Sequence, residues 1–480
     1  MLVKEDSPMA VSSVSRRAFL SGLVTVAVGS VLAACAPAAA PTPTPAPAKP
    51  AEAPKPAQEA KPAQPAPTPT PAAKEAAPAP KAGVVLRLLE TPSATVQAIN
   101  DDFTKKTGIR IESEVIPQGV DPTAKLIASF NAGGTDYDVV RVDVIDLALY
   151  AVSGWIEDVS ARITKDLIED MLPFARQAVN YKGKWYGLPK DSEWKTWVYN
   201  EKMLKDVGIN KPPETCEEYV MAAKAVQEKG LVKYAQTWAW TQGENIACDY
   251  PMLVASLGGK YISENDELLI NKDAGVEVLR MMVDWLNTTK IANPASLTAK
   301  NIDARNAQAA GDAAFGFHWG TPIAVLNDPT KSKVVNQCKM GLVPHKAGVA
   351  SWTVSGPECW SISKGSRHKD EAWEYLLFRQ GREGAKRHFI GEGTVFGWRS
   401  LFDDPEIQNF AKQRQIDFEI ARRQAENVVN RPMVPWYHEY SAALQLELHN
   451  ALTQKKSVQQ ALDDVVSAYN KIKGKAEKRY

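Results

Sequence analysis

The segment from Trp185 to Met203 sets the terms for the whole chain. Tyr186, Gly187, Leu188 and Pro189 form a short apolar stretch broken by Gly and Pro. A polar passage of Asp191, Ser192, Glu193, Trp194 and Lys195 follows, and Trp197, Val198 and Tyr199 then resume an extended run before Asn200. The pattern predicts two short strands joined end to end by a polar crossing, with no helix between them. Such a crossing is a hinge candidate.

A chain of 480 residues is too long for one ordinary core, but its first 82 residues have a composition of their own. Ser15-Arg16-Arg17-Ala18-Phe19-Leu20 precedes a mildly apolar stretch containing Gly22, Thr25, Gly29 and Ser30, which ends in Leu32-Ala33-Ala34-Cys35. This resembles a twin-arginine export signal over residues 1–34, closed by a lipoprotein cleavage box whose Cys35 thiol is acylated. Its roughly 17 interrupted apolar residues fall short of the ~20 that a membrane span needs. Residues 36–82 hold 15 of the 32 prolines, interleaved with Ala, Thr, Lys and Glu, and no aromatic or large aliphatic residue. Nothing there can bury a core, so residues 35–82 are expected to be a lipidated cysteine followed by a disordered, extended tether. The chain carries a formal net charge of +1 with 24% charged residues, which leaves no field to hold a polyanion and argues against a nucleic-acid partner.

From residue 83 the periodicity alternates between types. Val84 to Leu89 reads as a buried first strand; Val96, Ile99 and Phe103 recur at helical spacing up to Gly108; Ile109, Ile111 and Val115 alternate as a second strand. Asp121-Pro122 opens a helix through Leu126, Ile127 and Phe130, and Asp138 to Val142 reads as a third strand ending at Asp143. Strand, helix, strand, helix, strand implies an α/β sheet with parallel pairing. Ligands of such sheets sit beyond the carboxyl ends of the strands, which singles out Glu90 and Asp143. Beyond the crossing, Thr215-Cys216-Glu217-Glu218 is a capping box before a helix, Asp273 to Leu286 is an amphipathic helix, and Phe315 to Trp319 is a strand.

Several of these stretches carry a resemblance. Lys182-Gly183-Lys184-x-Tyr186-Gly187-Leu188-Pro189, Tyr199-Asn200-x-Lys202-Met203-Leu204, Phe103-Thr104-Lys105-Lys106-Thr107-Gly108-Ile109, Asp136-x-Asp138-Val139-Val140 and Ser363-Lys364-Gly365-Ser366-x-His368-Lys369 are similar to the extracellular solute-binding proteins of ABC importers. Within that group the chain most resembles the carbohydrate-type members. The resemblance implies a two-lobe periplasmic-binding-protein-like fold of type II. In it each lobe is a mixed, mostly parallel sheet flanked by helices, and three crossings pass near residues 190–196, 351–357 and 391–397. It divides the folded part into a first lobe of residues 83–191 plus 355–392 and a second of residues 195–350 plus 397–480. A solute is closed in the cleft between them. It further implies a monomer at the outer face of the cytoplasmic membrane that uses no cofactor, performs no catalysis and delivers its solute to ABC permease subunits.

The chemistry in the sequence fits that reading. Six histidines are scattered without metal-ligand spacing, and no nucleophile elbow or P-loop occurs. Cys216, Cys248, Cys338 and Cys359 either pair, with three connectivities possible, or stay as buried thiols. Tryptophans gather near the expected crossings and strand ends, where a flat apolar face can meet the C–H face of a pyranose. The expected ligand-binding set is Glu90, Asp143, Asp191, Trp194, Trp240, Tyr250, Trp319, Trp360, Trp398 and Trp436, with Trp319 and Trp436 carried over from the resemblance. The solute is a sugar or oligosaccharide on this reading. Two alternatives stand beside it: the same fold holding a polyol, polyamine or glycerol phosphate, or an extracellular glycan hydrolase using two cleft carboxylates.

Overall fold

The computed structural model describes residues 83–116, 122–134 and 136–479. The signal, Cys35 and the tether lie outside the described residues. The first lobe is built on a five-stranded sheet of β1 (Val85–Leu89), β2 (Arg110–Glu114), β3 (Val139–Asp143), β6 (Gly187–Asp191) and β11 (Glu358–Ile362), in the order β2-β1-β3-β11-β6. A small hairpin of β4 (Asn180–Tyr181) and β5 (Lys184–Trp185) precedes β6. β1 runs parallel to β2 and β3, whereas β11 enters antiparallel between β3 and β6. The carboxyl ends of β1, β3 and β6 and the amino end of β11 therefore share one edge, which carries Glu90, Asp143, Asp191 and Glu358.

Local sequence accounts for these elements. β1 is almost wholly apolar and buried, while edge strand β2 alternates exposed and half-buried residues. The intervening helix, Ala94–Thr107, starts where the Ser93 hydroxyl accepts from the Val96 amide at 3.1 Å, and stops at Gly108 in the left-handed conformation (φ 78°). Its Phe103 is fully buried, with ring centroids 5.1 Å from Tyr375 and 5.3 Å from Phe378. Burying one such side chain stabilises by ~1.5–3 kcal/mol, so the helix is held mainly by its packed face.

The second lobe holds a three-stranded sheet, β8 (Phe315–Trp319), β7 (Lys195–Asn200) and β9 (Cys338–Gly341), in the order β8-β7-β9. This sheet is entirely antiparallel, against the mostly parallel pairing expected, because β7 departs from the crossing while both its neighbours finish beside it. Helices Cys216–Glu228, Glu244–Ser256, Asp273–Asn287, Tyr437–Leu452 and Val458–Ala476 share one buried core with Trp197, Tyr199, Phe315 and Phe317 of this sheet. The expected capping box is present: Thr215 accepts from the Glu218 amide while the Glu218 carboxylate accepts from the Thr215 amide. β10 (Thr353–Val354) and β12 (Val428–Val429) pair beside the crossings. Residues 399–425, expected with the second lobe, place Phe402, Ile407, Ala411, Ala421 and Ala425 in a core cluster that holds residues of both sheets, Val139 and Leu188 from the first and Val198 and Met340 from the second, so this helical segment bridges the lobes. Cys216, Cys248, Cys338 and Cys359 are separate buried thiols.

Gly187 shows how tightly β6 and β11 are joined. A Cβ there would stand 2.1 Å from the Trp360 carbonyl oxygen, whereas at Gly474, inside helix Val458–Ala476, it would meet nothing within 4 Å. Gly187→Ala should destabilise by about 1–3 kcal/mol through overpacking, and Gly474→Ala should stabilise by about 0.5–1 kcal/mol through helix propensity. Denaturant unfolding of both variants checks this; shifts of the same sign would contradict it.

Candidate functional site

The two sheets meet where extended backbone passes between them. β6 ends at Asp191 and β7 begins at Lys195, and the next passage links β10 to β11 through Ser355, Gly356 and Pro357. Backbone hydrogen bonds tie these strips together. The Gly356 amide donates to the Glu193 carbonyl at 3.0 Å, the Ser192 amide to the Val395 carbonyl at 2.9 Å, and the Ser355 amide to the Val429 carbonyl at 3.0 Å. The indole of Trp319, at the end of β8, lies over Gly356, where a Cβ would come within 3.2 Å of the ring.

Charge concentrates at the same place. On the first-lobe edge Glu358 pairs with Arg141 at 2.5 Å and Lys190 at 2.7 Å, and Lys190 lies 4.0 Å from Asp191. Burial works to raise the Glu358 carboxyl, but Lys190 and Arg141 together hold it below the usual range. Asp191 goes the other way: burial and the neighbouring Glu193 push it well above the ordinary carboxylate value, and its Oδ1 has no hydrogen-bond partner among the described residues. Glu193 is raised by burial and by Glu358. On the second-lobe side Lys195 and Asp249 form a fully buried ion pair, with the Lys195 ammonium 5.4 Å from the Trp319 ring centroid.

Other pairs span the lobes. Arg431, on the second-lobe side, reaches Asp143 at 2.9 Å and Glu244 at 3.0 Å. Glu244 is gripped further by Tyr437 and by Ser441 at 2.8 Å. His438, on helix Tyr437–Leu452, lies 2.6 Å from Asp146 on helix Val144–Val152, and the Thr321 hydroxyl donates to the Gly393 carbonyl at 3.5 Å. Burial outweighs the Arg431 charge at Asp143 and raises its carboxyl to about 6. The hydrogen bond to Asp146 raises His438 above its ordinary 6.5.

A cavity of about 210 Å³ opens at the carboxyl end of β1, lined among others by Glu90, Lys190, Trp360, Arg379, His388 and Glu392. Arg379 holds Glu90 with two bonds, 2.9 and 2.7 Å, and stacks over Trp360 at 4.8 Å. Glu392 accepts from Ser93, from Thr394 at 3.4 Å, and faces His388 Nδ1 at 3.4 Å. Ion pairs and hydroxyls thus surround a small polar space in which Arg141, Lys190 and Arg379 each face a carboxylate.

The residues expected at the site divide. Glu90 lines the cavity, Asp143 and Asp191 stand on the shared edge, and half-buried Trp319 sits at the crossing with its indole N–H on Asn245 Oδ1 at 3.3 Å. Trp360 lines the cavity from β11, but Arg379 covers its ring. The expectation that the remaining rings face the cleft is corrected by their packing. Trp240 stacks on Trp238 at 4.8 Å, Tyr250 donates to the Gly275 carbonyl at 2.9 Å, and Trp398 donates to the Gln380 carbonyl at 2.9 Å; all three are fully buried. Trp194 is enclosed against Phe174 and Trp436 against Tyr469. Each has found a partner elsewhere in the core, and burying that area outweighs leaving it on a wet wall. The sequence reading did not single out Arg141, Lys190, Glu358, Arg379, His388 and Arg431. Arg141 and Lys190 had a usable signal, since each interrupts an apolar strand; the helical residues among the rest had none.

Comparison with known proteins places this geometry. A family model described as bacterial extracellular solute-binding protein matches residues 88–386. A probable ABC transporter-binding protein of Deinococcus radiodurans is 22% identical over 385 residues, covering 78% of this chain and 89% of its own. The erythritol/L-threitol-binding protein of Mycolicibacterium smegmatis is 22% identical over 362 residues, covering 67% of this chain and 72% of its own. Among solved structures, the maltose-bound MalE3 of T. maritima superposes with a TM-score of 0.70 at 22% identity, over 81% of this chain and 99% of that one, and so shares the fold.

The His438–Asp146 pair makes lobe contact depend on pH. Because the contact raises the His438 pKa above 6.5, its stabilisation is fully present below that value and is lost as pH rises through the raised one. Asp143, raised to about 6, acts in the same direction. Small-angle scattering from about pH 5.5 to about pH 8 should show the lobes separating as pH rises. His438→Gln, which can still bond Asp146, should lose most of that dependence; a variant with the full wild-type dependence would remove His438 from the account.

Proposed function

The chain belongs to the bacterial extracellular solute-binding proteins, and on that premise we propose that it captures a neutral, hydroxyl-rich solute, a sugar or a polyol, between its lobes and presents it to the permease of an ABC importer. The observation that carries the reading is charge balance. Arg141, Lys190, Lys195, Arg379 and Arg431 each hold a carboxylate within the protein, so none of these five is free for a phosphate. Asp191, raised well above the usual carboxylate range, holds a proton more readily than an ordinary carboxylate and so suits a hydroxyl more than an ammonium ion. The relatives support the same class: one is named for erythritol and threitol and one structure holds maltose.

Function then follows from geometry. A solute touching both lobes exists in full contact only when they meet, so binding shifts the population toward the closed form. That closed form is what a permease would distinguish from the empty one. Cys35, acylated, would hold the protein at the outer face of the membrane with residues 36–82 as its reach.

Two measurements test this. Thermal unfolding with a panel of sugars, polyols, spermidine and glycerol phosphate should show stabilisation by a member of the first two classes alone, by about 2.7 kcal/mol at a concentration of roughly 100 Kd. Stabilisation by spermidine or glycerol phosphate alone would overturn the neutral-solute reading. Cys35→Ala should release the protein from the membrane fraction, and continued membrane retention of the processed variant would overturn the anchoring.

A further inference from the structure

Most groups around the cavity at the end of β1 are satisfied by one another; Arg379 Nε and His388 Nε2 are not. His388 lies on helix Arg382–Glu392, lines the cavity and is 5% exposed. Its Nδ1 faces Glu392 at 3.4 Å, one helical turn along, while its Nε2 is buried without a hydrogen-bond partner among the described residues. With Nδ1 turned to Glu392, the second ring nitrogen, Nε2, is left with unused hydrogen-bonding capacity. Ser93 and Thr394 converge on the same Glu392 carboxylate from the loop after β1 and from the passage beyond the helix. An orphaned ring nitrogen beside these hydroxyls is matched by a ligand hydroxyl, which can both donate and accept.

The rest of the cavity limits what that ligand can be. At about 210 Å³ it lies below the ~300–1,000 Å³ of pockets that enclose drug-sized ligands. Its aromatic wall, Trp360, is covered by the Arg379 guanidinium at 4.8 Å and offers no free face for a sugar ring. Trp238 and Trp240 stack in the core, and Trp319, half-buried at the crossing, does not line this cavity. The second lobe reaches the rim through the contact of Thr321 with Gly393, next to Thr394.

We infer that this chamber takes one short hydroxyl-rich unit, a polyol or a single sugar ring, by hydrogen bonds and without stacking, and that His388 is a ligand-contacting residue that sets this selectivity. The inference rests on the neutral-solute reading above and narrows it.

Calorimetric titration of the full chain with erythritol, ribitol, mannitol, glucose and maltotriose tests both levels. At least one of the four short ligands should bind ten-fold or more tighter than the trisaccharide. His388→Phe should weaken that ligand by about ten-fold or more, the scale of one lost hydrogen bond, with an unchanged melting temperature. His388→Gln, which keeps an acceptor, should recover most of the affinity. Tighter binding of maltotriose, or unchanged affinity in a folded His388→Phe protein, would overturn this inference and leave the parent reading standing. Binding of none of the five, with spermidine or glycerol phosphate bound instead, would overturn both. If His388→Phe does not fold, the ligand-length comparison on the wild type and the comparison with His388→Gln still decide.

Discussion

The hydrogen bonds among the strips of backbone that pass between the sheets fix where everything else can stand. Glu193 bonds to Gly356, Ser192 to Val395 and Ser355 to Val429, so sequence-distant segments are laced into one bundle. Asp191, Lys195, Glu358 and Arg431 of the candidate site stand within a few residues of that bundle. The lacing also explains the small residues there: Gly356 lies under Trp319, and Gly397 lies against Ser192, Ala175 and Pro189, where no Cβ would fit.

A bundle of this kind excludes water from ionisable groups, and the structure answers with close compensation. Buried charge is costly unless paired, and Lys195 with Asp249, Arg379 with Glu90 and Arg431 with Asp143 and Glu244 are pairs of this kind. The compensation is incomplete: among the described residues Asp191 Oδ1, Asp249 Oδ2, Arg379 Nε, His388 Nε2 and Arg431 Nε are buried without hydrogen-bond partners.

Much of the fold was legible because it rests on local signals. The Gly- and Pro-broken run before Asp191 and the alternation after Lys195 became β6 and β7; Gly108 ends one helix and Thr215 caps another where the sequence places them. Glu90 and Asp143 could be placed at strand ends by counting. The tryptophans were not legible in the same way. Trp240 meets Trp238, and Trp238 in turn meets Trp285 and Phe317, residues from other parts of the chain. Sequence position says nothing about such stacks, and a side chain with that much apolar surface is buried when a partner exists. His388, Arg379 and Arg431 failed for the opposite reason. A charged or polar residue on a helix or loop is ordinarily solvated, and only the tertiary arrangement turns these three inward. The bridging role of residues 399–425 was equally hidden, since it depends on which core Phe402 and Ile407 join.

The place of β11 has a consequence for how the chain is made. In the first sheet β3 and β6 never touch; each pairs with β11, which comes from residues 358–362. Until the ribosome has passed that point, β3 and β6 present bare edges, and the sheet remains in two unjoined pieces while the entire β7–β10 region is being synthesised. Bare edges are templates for pairing with other chains, and contacts over such sequence distances form slowly. The first lobe is thus finished late, by a strand delivered after most of the second lobe, and a nascent chain must be kept from its neighbours from the completion of β3 until β11 has been made.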